Sequence, residues 1–278
     1  MIDPATIELL KDPAVQITAT IMGTLLGAVV GSYLNVVIYR LPRGMSTTNP
    51  KRSACPTCGH QIKGYDNIPV LSYILLGGRC RSCKEPFSAS YALVEGFTAI
   101  LFGTITYLFW PQFVIVPLLI AAAYGIAIFG IDATTYKMPR NLTRPLWLIL
   151  PPLITAAAFI DSPSEAGETL TRSALSALMW LAIFGIPWLL YPGKMGFGDV
   201  LLSAPLGLLL GYFSWSVSVT GFFAAFGIGT VVMLIVMAAG KAGRKTAVPF
   251  GPFMLAGALY GILTQGALWE AYLRVVGF

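Results

Sequence analysis

Two aspartates stand where this chain could do chemistry. Asp199 directly follows Gly196-Phe197-Gly198 and directly precedes a long apolar run, so its carboxyl falls where a loop enters an apolar helix. Asp132 closes another apolar run, Ile126–Ile131, and is followed by the polar segment Ala133–Pro139. An ionisable group at the edge of hydrocarbon is disfavoured, so one kept there without an evident partner is a functional candidate. Two carboxyls a few ångströms apart cannot both ionise easily and titrate as one proton-sharing unit. Such a pair is equipped for hydrolysis: the charged member takes a proton from water while the neutral member hydrogen-bonds the carbonyl under attack. The helix dipole favours charge at Asp199, a helix N-terminus, and the neutral form at Asp132, a helix C-terminus, which makes Asp199 the expected base. Gly196 and Gly198 form the supporting loop, because glycine lets backbone approach closely or turn sharply. The competing readings are a helix N-cap for Asp199 and a solvated helix-end residue for Asp132. Together the two aspartates carry the expectation of an aspartic protease working inside a membrane.

A second constellation lies upstream. All four cysteines fall in two C-x-x-C knuckles, Cys55-Pro-Thr-Cys58 and Cys80-Arg-Ser-Cys83, and together supply the four soft ligands that structural zinc takes. Two disulfides are the competing arrangement, but the charge distribution below places this segment in a reducing compartment. Four thiolates close the tetrahedral shell, which leaves His60 a bystander and gives the metal a folding role rather than a catalytic one. Between the knuckles lie Asp66 and Asn67, and Glu95 enters the next helix about where a membrane would begin. Glu95 also fits a plain first-turn glutamate favoured by the dipole.

The elements that must position these residues are membrane helices. The chain has 278 residues, 56% hydrophobic and only 11% charged, a composition that excludes an ordinary water-soluble domain. A spanning helix needs about 20 apolar residues, and eight runs qualify: 15–38, 92–110, 113–131, 145–160, 173–191, 199–214, 217–238 and 250–268. If residues 39–91 are cytoplasmic, only Lys11, Arg172 and Arg274 of the 18 basic residues fall outside, a strong positive-inside signal that places both termini outside. Asp132 and Asp199 then both land on the cytoplasmic side. The net charge of +6 is accounted for by the lipid bilayer's anionic headgroups and calls for no nucleic acid. The expected organisation is an exterior leader and first helix (1–38), a cytoplasmic four-cysteine domain (39–91) and a seven-helix membrane domain (92–278). Gly23, Gly27 and Gly31 mark a small-residue packing face on the first helix.

These pieces resemble the bacterial type IV prepilin peptidase family over residues 27–257. The resemblance rests on Gly31-Ser32-Tyr33-Leu34-Asn35-Val36, the double knuckle enclosing Asp66-Asn67-Ile68-Pro69, and Tyr91 with Val94-Glu95. It rests equally on Asp132 with its downstream proline and Leu142-Thr143, the GxGD at 196–199, and Pro249-Phe250-Gly251-Pro252-Phe253. Two positions depart from the family pattern: Arg140 stands where an acidic residue is usual, and Leu201 where a lysine is. The resemblance implies an all-α polytopic protein of the bacterial inner membrane that cleaves the short basic leader of prepilins or pseudopilins after a glycine. It further implies N-methylation of the new terminus with S-adenosylmethionine. Asp132 and Asp199 would be the catalytic pair, Cys55, Cys58, Cys80 and Cys83 the zinc ligands, and Glu95, Asp66 and Asn67 the candidates for contacts with methyl donor or substrate. A transporter using Asp132 and Asp199 as an ion or proton relay is the rival from another class. A scaffold whose zinc domain docks partners is a second rival.

Overall fold

A computed structural model describes residues 8–49, 53–55, 57–191, 195–240 and 249–277. Of the basic residues used in the orientation argument, Lys51, Arg52, Lys194, Lys241, Arg244 and Lys245 lie outside the described residues. The described chain is helical, and its only β pairing is two isolated bridges. Six helices are long and apolar enough to cross a membrane: α1 (Pro13–Arg40), α3 (Ser90–Phe109), α4 (Ile115–Thr135), α5 (Arg140–Asp161), α6 (Ala166–Leu190) and α8 (Trp215–Ala238). Two apolar helices are shorter, α7 (Phe197–Phe213) and α9 (Gly251–Leu263), and the described residues also form α2 (Leu71–Leu75) and α10 (Ala267–Val276).

The eight expected runs are therefore present as helices, with three differences: the helix expected from 173 begins seven residues earlier, at Ala166, and the other two lie in α5 and α9. The helix expected from 145 begins at Arg140, with Pro145 inside it. Pro145 is the sixth residue of the helix and removes one hydrogen bond, to Asn141 O, a loss that helices packed in a membrane bundle tolerate. The run expected over 250–268 breaks after Leu263, because Gln265 (φ 51) and Gly266 (φ 82) turn the backbone. Gly266 O accepts from the Thr220 hydroxyl at 3.0 Å, which pins that turn against α8.

The chain divides into two compact units, residues 1–127 and 128–278. In the first, Asp12 caps α1 by accepting from the Ala14 N–H at 2.7 Å, with Pro13 at the first helical position. The glycine stripe of α1 lies on α3. A Cβ at Gly27 would sit 2.6 Å from Thr98 O, and one at Gly31 2.8 Å from the Glu95 Cα, so the backbones approach as only glycine permits. The facing threonines turn their hydroxyls back into their own helix, Thr98 to Val94 O (2.6 Å) and Thr106 to Phe102 O (2.8 Å). No polar group at this interface is thereby left without a partner in hydrocarbon.

In the second unit α7 is the central helix, packed against α5, α6, α8 and α9 and buried along most of its length. Gly207 and Gly211 bring it onto the α6 backbone at Ser176 and Ser173. The Ser176 hydroxyl reaches Gly207 O (2.7 Å) and Ser218 Oγ (2.6 Å), and the Trp180 indole N–H donates to Ser218 Oγ (3.1 Å). This knot of small polar groups fixes the register of α6, α7 and α8, as interhelical hydrogen bonds do in lipid.

Candidate active site

Asp132 sits in the last turn of α4 and is buried, 4% exposed. The helix ends three residues later at Thr135, and the next residue, Tyr136 (φ 56), donates its N–H to Asp132 O at 2.9 Å. Residues 137–139 then turn the chain into α5, and Met138 leads toward the other aspartate. Asp199 is the third residue of α7, half-buried, with its N–H on Gly196 O at 3.1 Å. It is not the N-cap: Gly196 holds that position, and its missing Cβ would lie 3.2 Å from Asp199 Oδ2.

A chain of close contacts links the two carboxyls. A Cβ on Gly198 would fall 2.5 Å from Met138 Cβ, so the GxGD backbone lies directly on Met138. A Cβ on Gly251 would strike Met138 Cε and lie 2.8 Å from Asp132 Oδ2. Met138 thus stands between Gly198 and Gly251, with Asp199 beside one and Asp132 beside the other. Among the described residues the ion pairs are Arg81–Asp66 and Arg172–Glu168, so no salt bridge neutralises either aspartate. Gly196 is the N-cap of α7 and Gly198 its second residue. Gly251 and Met138 were not singled out as site residues; the broken Pro249–Phe253 stretch was the signal available for Gly251. The two family departures also find places here. The Arg140 guanidinium lies 5.5 Å over the Phe197 ring, and Leu201 offers its carbonyl to the Trp147 indole N–H at 2.8 Å.

The first unit carries the cysteine cluster. The four Sγ atoms all lie within 4.8 Å of one another, with Cys55 Sγ 3.8 Å from Cys83 Sγ. Four thiolates at ~2.3 Å from a tetrahedral metal stand about 3.8 Å apart, whereas a disulfide needs ~2.05 Å. All four cysteines are free. The two knuckles are built alike: Cys55 N–H donates to His60 O and Gly59 N–H to Cys55 O, just as Cys80 N–H donates to Glu85 O and Lys84 N–H to Cys80 O. Gly59 (φ 69) and Lys84 (φ 62) occupy the same left-handed place after the second cysteine of each knuckle. The Cys58 backbone amide lowers the Cys55 thiol to about 6, toward the thiolate that a metal takes. His60 contributes backbone only to this arrangement.

Glu95 and Asp66 are engaged with different partners. Glu95 Oε2 accepts the Val70 N–H at 2.7 Å, tying residues 64–75 to the second turn of α3. Val70 is β-branched yet holds φ 61, a conformation that costs about 1–3 kcal/mol and persists only where its surroundings enforce it. Asp66 takes a forked contact from Arg81, with Nη2 at 2.6 Å from Oδ1 and Nε at 2.9 Å from Oδ2. The Arg81 guanidinium holds the Asp66 carboxyl below the usual carboxylate range, so this pair is intact at neutral pH and is lost only as pH falls through that lowered value. Asp66 and Arg81 line a cavity of about 300 Å³ with His60, Lys63, Cys80 and Phe87. Asn67 follows at the end of the short turn Gly64–Asp66.

A multi-pass helical membrane protein with a four-cysteine cluster that could hold a metal ion, and with two aspartates linked through Met138 and Gly251, is the class that the fold defines. The Bacterial Peptidase A24 N-terminal domain matches residues 25–109. The prepilin leader peptidase/N-methyltransferase of Pseudomonas aeruginosa is 32% identical over 91% of this chain and 93% of its own length. Proteins of that name from Burkholderia pseudomallei (33%; 84% of this chain, 81% of theirs) and Neisseria gonorrhoeae (32%; 90% and 92%) are similar throughout. The chain belongs to the prepilin leader peptidase/N-methyltransferase family. No solved structure matches it.

The Glu95 tie is testable by itself. Glu95→Ala removes the acceptor of the Val70 N–H, a loss of about 1 kcal/mol. Amide exchange across residues 68–73 should then quicken roughly fivefold to tenfold while α1 and α3 keep their protection. Unchanged exchange would show that the strap is held by something else.

Proposed function

We propose that this chain is a membrane aspartic endopeptidase that removes the short basic leader of type IV prepilins or pseudopilins after a glycine, and then N-methylates the new terminus with S-adenosylmethionine. The observation that carries the first half is the convergence of Asp132 and Asp199 through Met138 and Gly251, without a neutralising cation among the described residues. In the reaction, Asp199 at its helix N-terminus accepts a proton from water, and Asp132, more deeply buried, hydrogen-bonds the scissile carbonyl. Gly198 and Gly251 leave room for the Met138 side chain between the two aspartates. A relay of ions or protons across the membrane is not favoured, since the family is named for peptide cleavage and methyl transfer.

The division of labour follows the chain: residues 1–38 anchor, 39–91 form a zinc module, and 92–278 hold the protease site. Zinc fits the cysteine cluster, because four thiolates at tetrahedral spacing close its shell and leave no position for water. Its work is to fold a segment too short to bury a core. For the methyl donor, the cavity lined by Asp66, Lys63 and Arg81 offers both signs of charge to a molecule that bears a carboxylate, an ammonium and a sulfonium. S-adenosylmethionine held there would supply an electrophilic methyl group; Asp66 and Arg81 would orient it. The protein sits in the inner membrane with residues 39–91 and both aspartates on the cytoplasmic face and both termini outside, as the distribution of Lys and Arg supports.

Purified protein incubated with a leader-bearing prepilin tests the central reading. Asp132→Asn and Asp199→Asn should each abolish cleavage while leaving insertion intact, and the double variant should be no worse than either single one, because residues acting as a unit are non-additive. Methylation of an already cleaved substrate should persist in both. Retained cleavage in either single variant would return that aspartate to a structural role.

The metal is checked by elemental analysis, with about one zinc per chain expected and Cys55→Ser or Cys80→Ser loosening the module. A fully folded, metal-free protein would contradict it.

For topology, a membrane-impermeant thiol reagent on intact cells should label a cysteine introduced at Ser164 and spare one at Ser53. The reverse pattern would overturn the orientation.

A further inference from the structure

The segment Gly64–Leu75 is built inside out for a loop in water. Ser72 is buried, accepting the Ile68 N–H at 3.0 Å and donating to Tyr65 O at 3.1 Å. The large apolar side chains around it point outward: Ile68, Leu71, Ile74 (66% exposed) and Leu75 (73%). A solvated helix places its polar side chains outward and its apolar ones inward, so this polarity is that of a surface meeting something apolar.

What it meets is set by height. Val70, in the middle of the segment, is bonded to Glu95 and lies against Gly96, where a Cβ would be 3.8 Å from Val70 Cγ2. Glu95 and Gly96 belong to the second turn of α3, about 8 Å along a helix that crosses the membrane from Ser90. The outward apolar side chains therefore flank the entry of a spanning helix, at the depth of headgroups and upper acyl chains. The chain leaves α2 abruptly at Gly77 (φ 60) and Gly78 (φ 66), so the apolar tip is short and the backbone returns at once to the second knuckle. The surrounding charge matches anionic lipid: Lys63, Arg79, Arg81 and Lys84 stand against two carboxylates in 63–85, Asp66 and Glu85, and Asp66 is already paired with Arg81.

We infer that residues 64–75 form a membrane-seated strap, with Ile68, Leu71, Ile74 and Leu75 in the interfacial layer of the bilayer and the neighbouring cations on its headgroups. The strap then holds the metal module against the membrane instead of leaving it on a free tether. The inference needs only the spanning helices and stands apart from the catalytic reading.

The test uses the full chain in nanodiscs of phosphatidylethanolamine and phosphatidylglycerol, with an environment-sensitive fluorescent amino acid at position 75 and, separately, at position 74. A probe at position 93, on the outward face of the first turn of α3, is the reference. Nitroxide-bearing lipids should quench positions 74 and 75 as strongly as position 93, with blue-shifted emission before any peptide is added. Retained metal content reports that the module is folded in each variant. Water-like, unquenched emission at both positions would overturn the inference. So would a blue shift that comes only with added prepilin peptide or with more than one chain per disc, since the face would then belong to the substrate or to a second copy. Cleavage of a leader-bearing prepilin by the same samples is read separately, so loss of one result leaves the other standing.

Discussion

A carboxyl at the edge of hydrocarbon must be placed by backbone when no countercharge holds it. That constraint governs the second unit. Asp132 and Asp199 have no ion-pair partner among the described residues, and their approach depends on close contacts of Met138 with Gly198 and of Gly251 with Asp132. Those contacts in turn depend on α7, whose Gly207 and Gly211 press it onto α6, and on the Ser176, Trp180 and Ser218 knot that sets its register. Any cation introduced to fix the aspartates would also neutralise the charge that the proposed catalysis needs. Packing by glycine positions them without altering their chemistry.

The first unit solves a different problem with the same economy of contacts. A segment between α1 and α3 too small for a core gathers four thiols that could hold a metal ion, and is tied by the Arg81–Asp66 fork and the Glu95–Val70 hydrogen bond. The last of these joins the module to a spanning helix. Gly31 is needed there as well, since α1 passes so close to the Glu95 Cα that a larger residue would displace the very turn that carries the tie. Asn35 adds a further stitch from α1, donating to Tyr91 O at 2.9 Å near the start of α3.

Much of this was legible in the sequence because hydrocarbon leaves few choices. Long apolar runs become helices, a double C-x-x-C gathers four thiols, and an aspartate between glycines at the head of an apolar run stands out against its surroundings. What escaped was decided by contacts between distant residues. Gly251 belongs to the aspartate site because it faces Asp132 and Met138, and nothing in its own neighbourhood says so. Glu95 reads as a plain first-turn acid until Val70 is seen to donate to it. The break at Gln265 and Gly266 depends on Thr220 of a different helix, and the start of α5 at Arg140 shows a proline tolerated where an apolar count placed the boundary. The outward face of α2 is invisible to pattern alone, because five residues are too few for periodicity to declare which side is buried.

The central claim is that Asp132 and Asp199 act on one scissile bond as a single unit. The most direct measurement is an experimental structure of the protein bound to a prepilin-like peptide whose cleavage site is replaced by a hydroxyethylene isostere. The account predicts the isostere hydroxyl within roughly 3 Å of a carboxyl oxygen of each aspartate, with Gly198 and Gly251 lining its path. A peptide bound elsewhere, or a hydroxyl reached by only one of the two aspartates, would contradict it.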